Sequence, residues 1–307
     1  VAGTSIPEAS GEAGIRTGRK EGNVARPRFL RLLAGTAAVL MLAGACGEDE
    51  TAGGGGGDGG EGTPAPQFET LEEGILAVGS CLDFPPFESV EGGDEVGFDV
   101  DLTEEIASRL DLEVEWVRAD FDTIFTAVAG NQFDMVAAAS TITEEREQVV
   151  DFSDPYYISR QSLVVNTTET PDIQSTDDIG EGDVIGVQRG TTGKQWAEDN
   201  LAAQGAQIRT YGLAPDAFRD LEAGNITAIV NDEPASAEII LDLQGLEIVE
   251  PIDTDENYGF AFSPENPELR EAANQALQEI FDDGTYEEIF ARYFPDVEVP
   301  EEFQGSA

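Results

Sequence analysis

From residue 68 onward, short apolar runs alternate with stretches in which apolar residues recur every three or four positions. The runs fall at 75–79, 112–116, 135–139, 184–187 and 226–230, and their length and β-branched content predict strands. The stretches at 102–110, 121–129, 195–204, 214–223, 235–243, 267–281 and 286–293 predict amphipathic helices. In the first of these, Leu102, Ile106 and Leu110 share one face. Such alternation predicts α/β lobes, each a mainly parallel sheet flanked by helices. No repeat of fixed period interrupts it.

The first 67 residues carry no such pattern. Arg26, Arg28 and Arg31 precede an apolar run at 32–45, which is short for a membrane crossing and suits a signal-peptide core. The run ends in Leu42-Ala43-Gly44-Ala45-Cys46. Small residues before a cysteine resemble the lipobox of bacterial lipoproteins, in which that cysteine is acylated and becomes the mature N-terminus. Ala43 stands where the lipobox prefers a larger aliphatic residue, so an ordinary cleaved secretory signal is the alternative. Residues 1–23 hold no signal-peptide element, which places the expected true start at Val24. Residues 46–67 then read as a lipidated cysteine and a Gly-rich acidic tether, with a reach of about 25 Å. The expected organisation is 1–45 extension and signal, 46–67 tether, 68–160 plus 260–303 first lobe, 161–259 second lobe, and 304–307 a disordered tail.

Charge and composition narrow the chemistry. Sixty-three acidic residues against sixteen basic ones give a net charge of −47. That surface aids solubility and repels nucleic-acid phosphates and anionic lipid, so no nucleic acid is expected as partner, and the membrane only through the lipid anchor. The absence of histidine removes His-based triads and His-ligated metal sites, and neither metal nor cofactor is expected. Two cysteines, Cys46 and Cys81, cannot build a multi-bridge framework.

Four predicted strands run directly into residues suited to hold a small polar ligand. The first leads to Ser80, Cys81 and Phe84-Pro85-Pro86-Phe87; the third to Ser140-Thr141-Ile142-Thr143 and Arg146. In the second half, one strand leads to Gln188-Arg189-Gly190-Thr191-Thr192-Gly193 and another to Asn231-Asp232-Glu233-Pro234. Ligands of open α/β sheets bind outside the carboxyl ends of strands, so two pairs of such ends predict a cleft between lobes. Thr143 can cap a helix that carries Arg146 one turn in, where a guanidinium fork meets a carboxylate bidentately. Asp232, from the other half, suits an ammonium group. The turn at 190–193 opens a helix whose free N–H groups also favour a carboxylate. Singly, each has a plainer reading: Arg146 a surface ion pair, Thr191 a helix cap, Asp232 a turn residue.

Gly97-Phe98-Asp99-Val100-Asp101-Leu102, with Ile106-Ala107 and Leu110 following, resembles the signature of bacterial extracellular solute-binding proteins, family 3. Thr141–Arg146, Asp151-Phe152-Ser153-Asp154-Pro155-Tyr156-Tyr157, Gly190–Gly193 and Asn231–Pro234 are similar to further segments of that family, in order, across residues 68–303. The resemblance implies a two-lobed periplasmic-binding-protein fold, with crossing hinge strands expected near 159–165 and 255–262. It implies a monomer that captures a free amino acid and delivers it to an ABC permease and its ATPase outside the cytoplasmic membrane. It makes Arg146 the carboxylate clamp, Asp232 the ammonium clamp, and Phe84 and Phe121 apolar walls. Ala139, Thr141 and Thr192 would add backbone or hydroxyl bonds, and Asp99 and Asp101 read as a helix start.

One departure bears on cargo. The family often has an acid where this chain has Cys81, facing the ligand side chain. Its replacement by a thiol favours neutral polar or acidic cargo over basic, with Gln188, Arg189 and Asn231 as discriminators. The alternative is that Asp83, Glu88 or Asp120 supplies the charge instead. Two other functions compete with transport: a dehydratase-type enzyme related to the family, and a sensor that presents its ligand to a separate receptor.

Overall fold

The computed structural model describes residues 68–305, so the signal segment, Cys46 and the tether through residue 67 lie outside the described residues. Each apolar run becomes a strand inside one of two five-stranded sheets. The first lobe starts with β1 (Ile75–Ser80), the hairpin β2 (Ser89–Glu91) and β3 (Asp94–Val96), and helix α1 (Phe98–Arg109). It continues through β4 (Glu113–Arg118), α2 (Phe121–Ala129), β5 (Met135–Val136) and β6 (Asp151–Phe152). On α1, Leu102 and Ile106 are fully buried, as their spacing requires. Gly97 precedes that helix at φ +142, and a Cβ there would lie 2.0 Å from the Phe87 carbonyl oxygen, so only glycine fits.

The chain then crosses over. Strand β7 (Tyr157–Asn166) opens the second lobe, followed by β8 (Val184–Gln188), α3 (Thr192–Asn200), β9 (Gln207–Tyr211), α4 (Ala214–Glu222), β10 (Ala228–Asp232) and α5 (Glu233–Ile239). Strand β11 (Leu246–Tyr258) carries it back to β12 (Ala261–Phe262), α6 (Pro267–Asp282) and α7 (Thr285–Tyr293) in the first lobe. The sheet orders are β4-β1-β5-β12-β6 and β11-β7-β10-β8-β9. The expectation of mainly parallel sheets needs correction: both are mixed. β12 runs antiparallel to β5 and β6, and β7 antiparallel to β10 and β11. Those strands enter from the opposite lobe, without the crossover helix that would make them parallel. The crossings pair where Tyr157, Ile158 and Ser159 face Tyr258, Asn257 and Glu256.

Local departures have local causes. The strand expected at 135–139 stops at Val136, because Ala139 adopts φ +43 and turns the chain out of the sheet. The helix expected over 195–204 ends at Asn200 and passes into a single 3₁₀ turn closed by Gly205 at φ +104. β9 was not legible as a strand, because this edge strand is half exposed and polar. At the far end, Gln304 donates to the Val299 carbonyl and Gly305 N–H to Glu287.

Candidate functional site

The strand ends converge on one cavity. From the first lobe it is lined by Cys81, Phe84, Phe121, Ala139, Thr141 and Arg146. From the second come Gln188, Thr191, Thr192, Asn231 and Asp232. The structure thus brings eleven residues the sequence singled out to one cavity, with Ala138 and with Glu88, one of the three acids named as alternatives; Arg189, expected as a discriminator, does not line it. The lobes are closed over it: Arg189 pairs with Asp122 at 3.1 Å across the mouth, and Arg146 Nη2 donates to the Gly190 carbonyl at 3.1 Å. Gly190, at φ +79, packs so closely on Asp122 that an added Cβ would sit 3.0 Å from its Cα.

Arg146 is the site's cation. Thr143 Oγ1 accepts from its N–H at 3.2 Å, as a cap should, although only a 3₁₀ turn (Arg146–Gln148) follows. Its guanidinium lies over the rings of Phe121 and Phe125, 5.2 and 4.7 Å from their centroids, and donates to the Thr141 carbonyl at 2.6 Å. Burial pulls the group down to about 10, against the opposing pull of Asp232 and Glu256. It is still a cation at neutral pH, packed against two rings.

Asp232 ends β10 in the facing lobe, 8% exposed. Gln161 and Tyr258 both donate to its carboxylate. Burial first, then Glu256, raises it to about 7, while Tyr258, Gln161 and Arg146 pull the other way. A carboxylate held this high gains most when a cation arrives beside it.

Several expected contacts are already spent within the protein. The Ala139 N–H donates to Asp99 at 2.8 Å, so any bond that Ala139 offers a ligand comes from its carbonyl. Asp99 is thus more than a helix start: buried and raised to about 7 by burial, it also accepts from the Tyr156 hydroxyl. Thr191 caps α3, accepting from Lys194 N–H at 3.1 Å and donating to the Gln188 carbonyl at 2.8 Å. The Asn231 amide nitrogen donates to the Asp232 carbonyl and to Ser236, which occupies both its N–H groups; that of Gln188 donates to Gly212, which leaves one N–H. The Thr141 and Thr192 hydroxyls both donate to Glu256.

At the Cys81 and Phe84 end, burial and then Glu88 push the Cys81 thiol well above its ordinary range, so it stays neutral. Among the acids named as alternatives, Asp83 lies 3.7 Å from Arg118 and Asp120 is exposed. Glu88 lines the cavity, 1% exposed, and its Oε2 has no hydrogen-bond partner among the described residues. Burial, followed by Asp99, Asp83 and Asp232, raises its carboxyl well above the usual range. Sequence reasoning did not single out Gln161, Glu256 or Tyr258, which reach the site from the crossing strands.

Comparison with known proteins agrees with this fold. The lysine/arginine/ornithine-binding periplasmic protein of Escherichia coli K12 is 29% identical over 244 residues, covering 76% of this chain and 93% of its own. A solved ancestral arginine-binding protein bound to arginine is 37% identical with a TM-score of 0.69, covering 72% of this chain and 98% of its own. An ancestral amino acid-binding protein described as a precursor of cyclohexadienyl dehydratase is 35% identical with a TM-score of 0.66, covering 72% and 96%. The model of bacterial extracellular solute-binding proteins, family 3, matches residues 76–296, and the chain belongs to that family.

Proposed function

We propose that this protein captures a free α-amino acid between its lobes and presents it to an ABC permease driven by its ATPase. The carrying observation is the pairing in one closed cavity of a single guanidinium, Arg146, with a carboxylate from the facing lobe, Asp232. These suit an α-carboxylate and an α-ammonium. Ligand contacts made only in the closed form shift the population toward it, and no chemistry is required. The neighbour described as a dehydratase precursor is itself an amino acid-binding protein, which supports capture over turnover.

The expected preference for neutral polar or acidic cargo assumed that Cys81 left the side-chain end without an acid. Glu88 supplies one there, with an oxygen to spare. The Glu88 carboxyl, held well above the usual range by burial, gains most from a basic side chain beside it, and an acidic side chain finds no cation at that end. The proposed cargo is therefore an amino acid whose side chain donates N–H groups, basic ahead of amide. Relatives named for arginine and for lysine, arginine and ornithine support this reading. A thermal-shift and calorimetric panel of arginine, lysine, glutamine and glutamate tests it. Arginine or lysine should bind best and glutamate worst. Glu88→Gln should cost the basic ligands about tenfold, or 1.4 kcal/mol, and glutamine far less. Best binding by glutamate would refute the cargo class; no stabilisation by any amino acid would refute the function.

The protein would work as a monomer outside the cytoplasmic membrane, held there by an acylated Cys46. Wild type expressed in a bacterium should partition with membranes and carry acyl chains on Cys46, and Cys46→Ala should block processing or release the protein. Soluble wild type with no acyl mass on Cys46 would contradict the anchor.

A further inference from the structure

Glu256 is a carboxylate buried behind the cleft, 4% exposed, on the crossing strand β11. The strand slips register against β7 between Ile252 and Glu256, and Asp255 within the slip adopts φ +49. Such a bulge re-aims the side chain that follows it, here inward. One oxygen, Oε2, accepts from the Thr141 hydroxyl at 2.6 Å and from the Thr192 hydroxyl at 2.8 Å. Thr141 belongs to the first lobe, where it bridges to Tyr258; Thr192 opens α3 in the second. The other oxygen, Oε1, is held from the hinge itself, by the Gln161 amide and the Thr254 hydroxyl, each at 2.9 Å.

We propose that Glu256 is an interlobe latch, a positioning residue that clasps one threonine from each lobe and so holds the cleft closed around its ligand. The proposal rests on the capture-by-closure reading above and adds the residue that sustains closure. Three features of the arrangement carry it. First, both clasped hydroxyls also line the cavity, so the clasp and the ligand share the same two side chains. Second, a single oxygen can accept from both only while the lobes are together; opening carries Thr192 away from Thr141 and leaves at most one arm made. Third, the Gln161 amide that steadies Oε1 also donates to Asp232, which ties the clasp to the ammonium clamp. A hydroxyl has one proton, and a carboxylate only accepts. Thr141 and Thr192 therefore spend that proton on Glu256, and toward a ligand their hydroxyls can only accept.

The latch acts after the ligand has entered, so its loss should appear in release and not in capture. The experiment measures association and dissociation rates of the best-binding amino acid, with solution X-ray scattering of each variant with and without it. Glu256→Ala removes the clasp. Glu256→Asp keeps the charge and the fold but is one methylene too short to reach both hydroxyls. Each should raise the dissociation rate by about tenfold or more, the loss of one hydrogen bond to a charged group, while the association rate stays within about twofold. Ligand-induced compaction should shrink or vanish in both. A folded Glu256→Asp protein with wild-type release and compaction would overturn the latch, as would a defect confined to association. Wild type that binds no amino acid would remove the underlying reading, and the latch with it; normal binding with an unaltered Glu256→Asp removes the latch alone.

Discussion

Arg146→Ala should reduce amino-acid affinity by roughly 30- to 5,000-fold, the 2–5 kcal/mol expected when one partner of a buried charged contact is removed. The magnitude follows from how the side chain is set. Its guanidinium packs against the rings of Phe121 and Phe125 and is steadied by the Thr141 carbonyl, which limits the orientations it can take. No other basic residue lines the cavity among the described residues. Arg146→Lys should fail almost as badly, since an ammonium can neither stack on a ring face nor offer two parallel N–H donors. Calorimetry on variants with native circular dichroism checks both. Wild-type affinity in Arg146→Ala would remove the carboxylate clamp from the account.

Asp232→Asn should cost a similar amount and should also flatten the pH dependence of binding. In the ligand-free protein this carboxyl is raised from 3.8 to about 7. The folded state therefore holds the proton more tightly than the unfolded chain, a stabilisation fully present below about pH 4 and lost as pH climbs through about 7. Ligand binding has the opposite sign, because an ammonium pairs with the deprotonated form. Affinity should rise with pH up to about 7 and level off above it. Glutamine is the ligand for this comparison, since a neutral side chain gains far less than a basic one from ionisation of Glu88. Tighter binding at pH 5.5 than at pH 8, or unchanged affinity in Asp232→Asn, would contradict the ammonium clamp.

The cavity wall was legible because its residues follow their strands directly in the chain. Arg146 after Thr143, Thr192 after Gly190 and Asp232 before Pro234 are neighbours in sequence, and strand ends of an open sheet face one side. What could not be read depends on tertiary events. Glu256 points inward only because a bulge forms at Asp255, and nothing near it in sequence announces Thr141 and Thr192 as its partners. Gln161 and Tyr258 reach Asp232 from crossing strands whose pairing is antiparallel, the feature that strand–helix alternation conceals. Glu88 stood among three possible acids, and only the fold of the turn after Phe84 decides which enters the cavity. Nor could the chain alone say which backbone group Ala139 keeps for a ligand: Asp99, 40 positions away, accepts from its N–H.

The most direct measurement of the central claim titrates wild-type protein with its best-binding amino acid and two analogues of it, one lacking the α-carboxylate and one lacking the α-ammonium. The account predicts one-to-one binding of the intact amino acid and a loss of about thirtyfold or more for each analogue, one through Arg146 and the other through Asp232. An analogue that binds as tightly as the parent amino acid would contradict it.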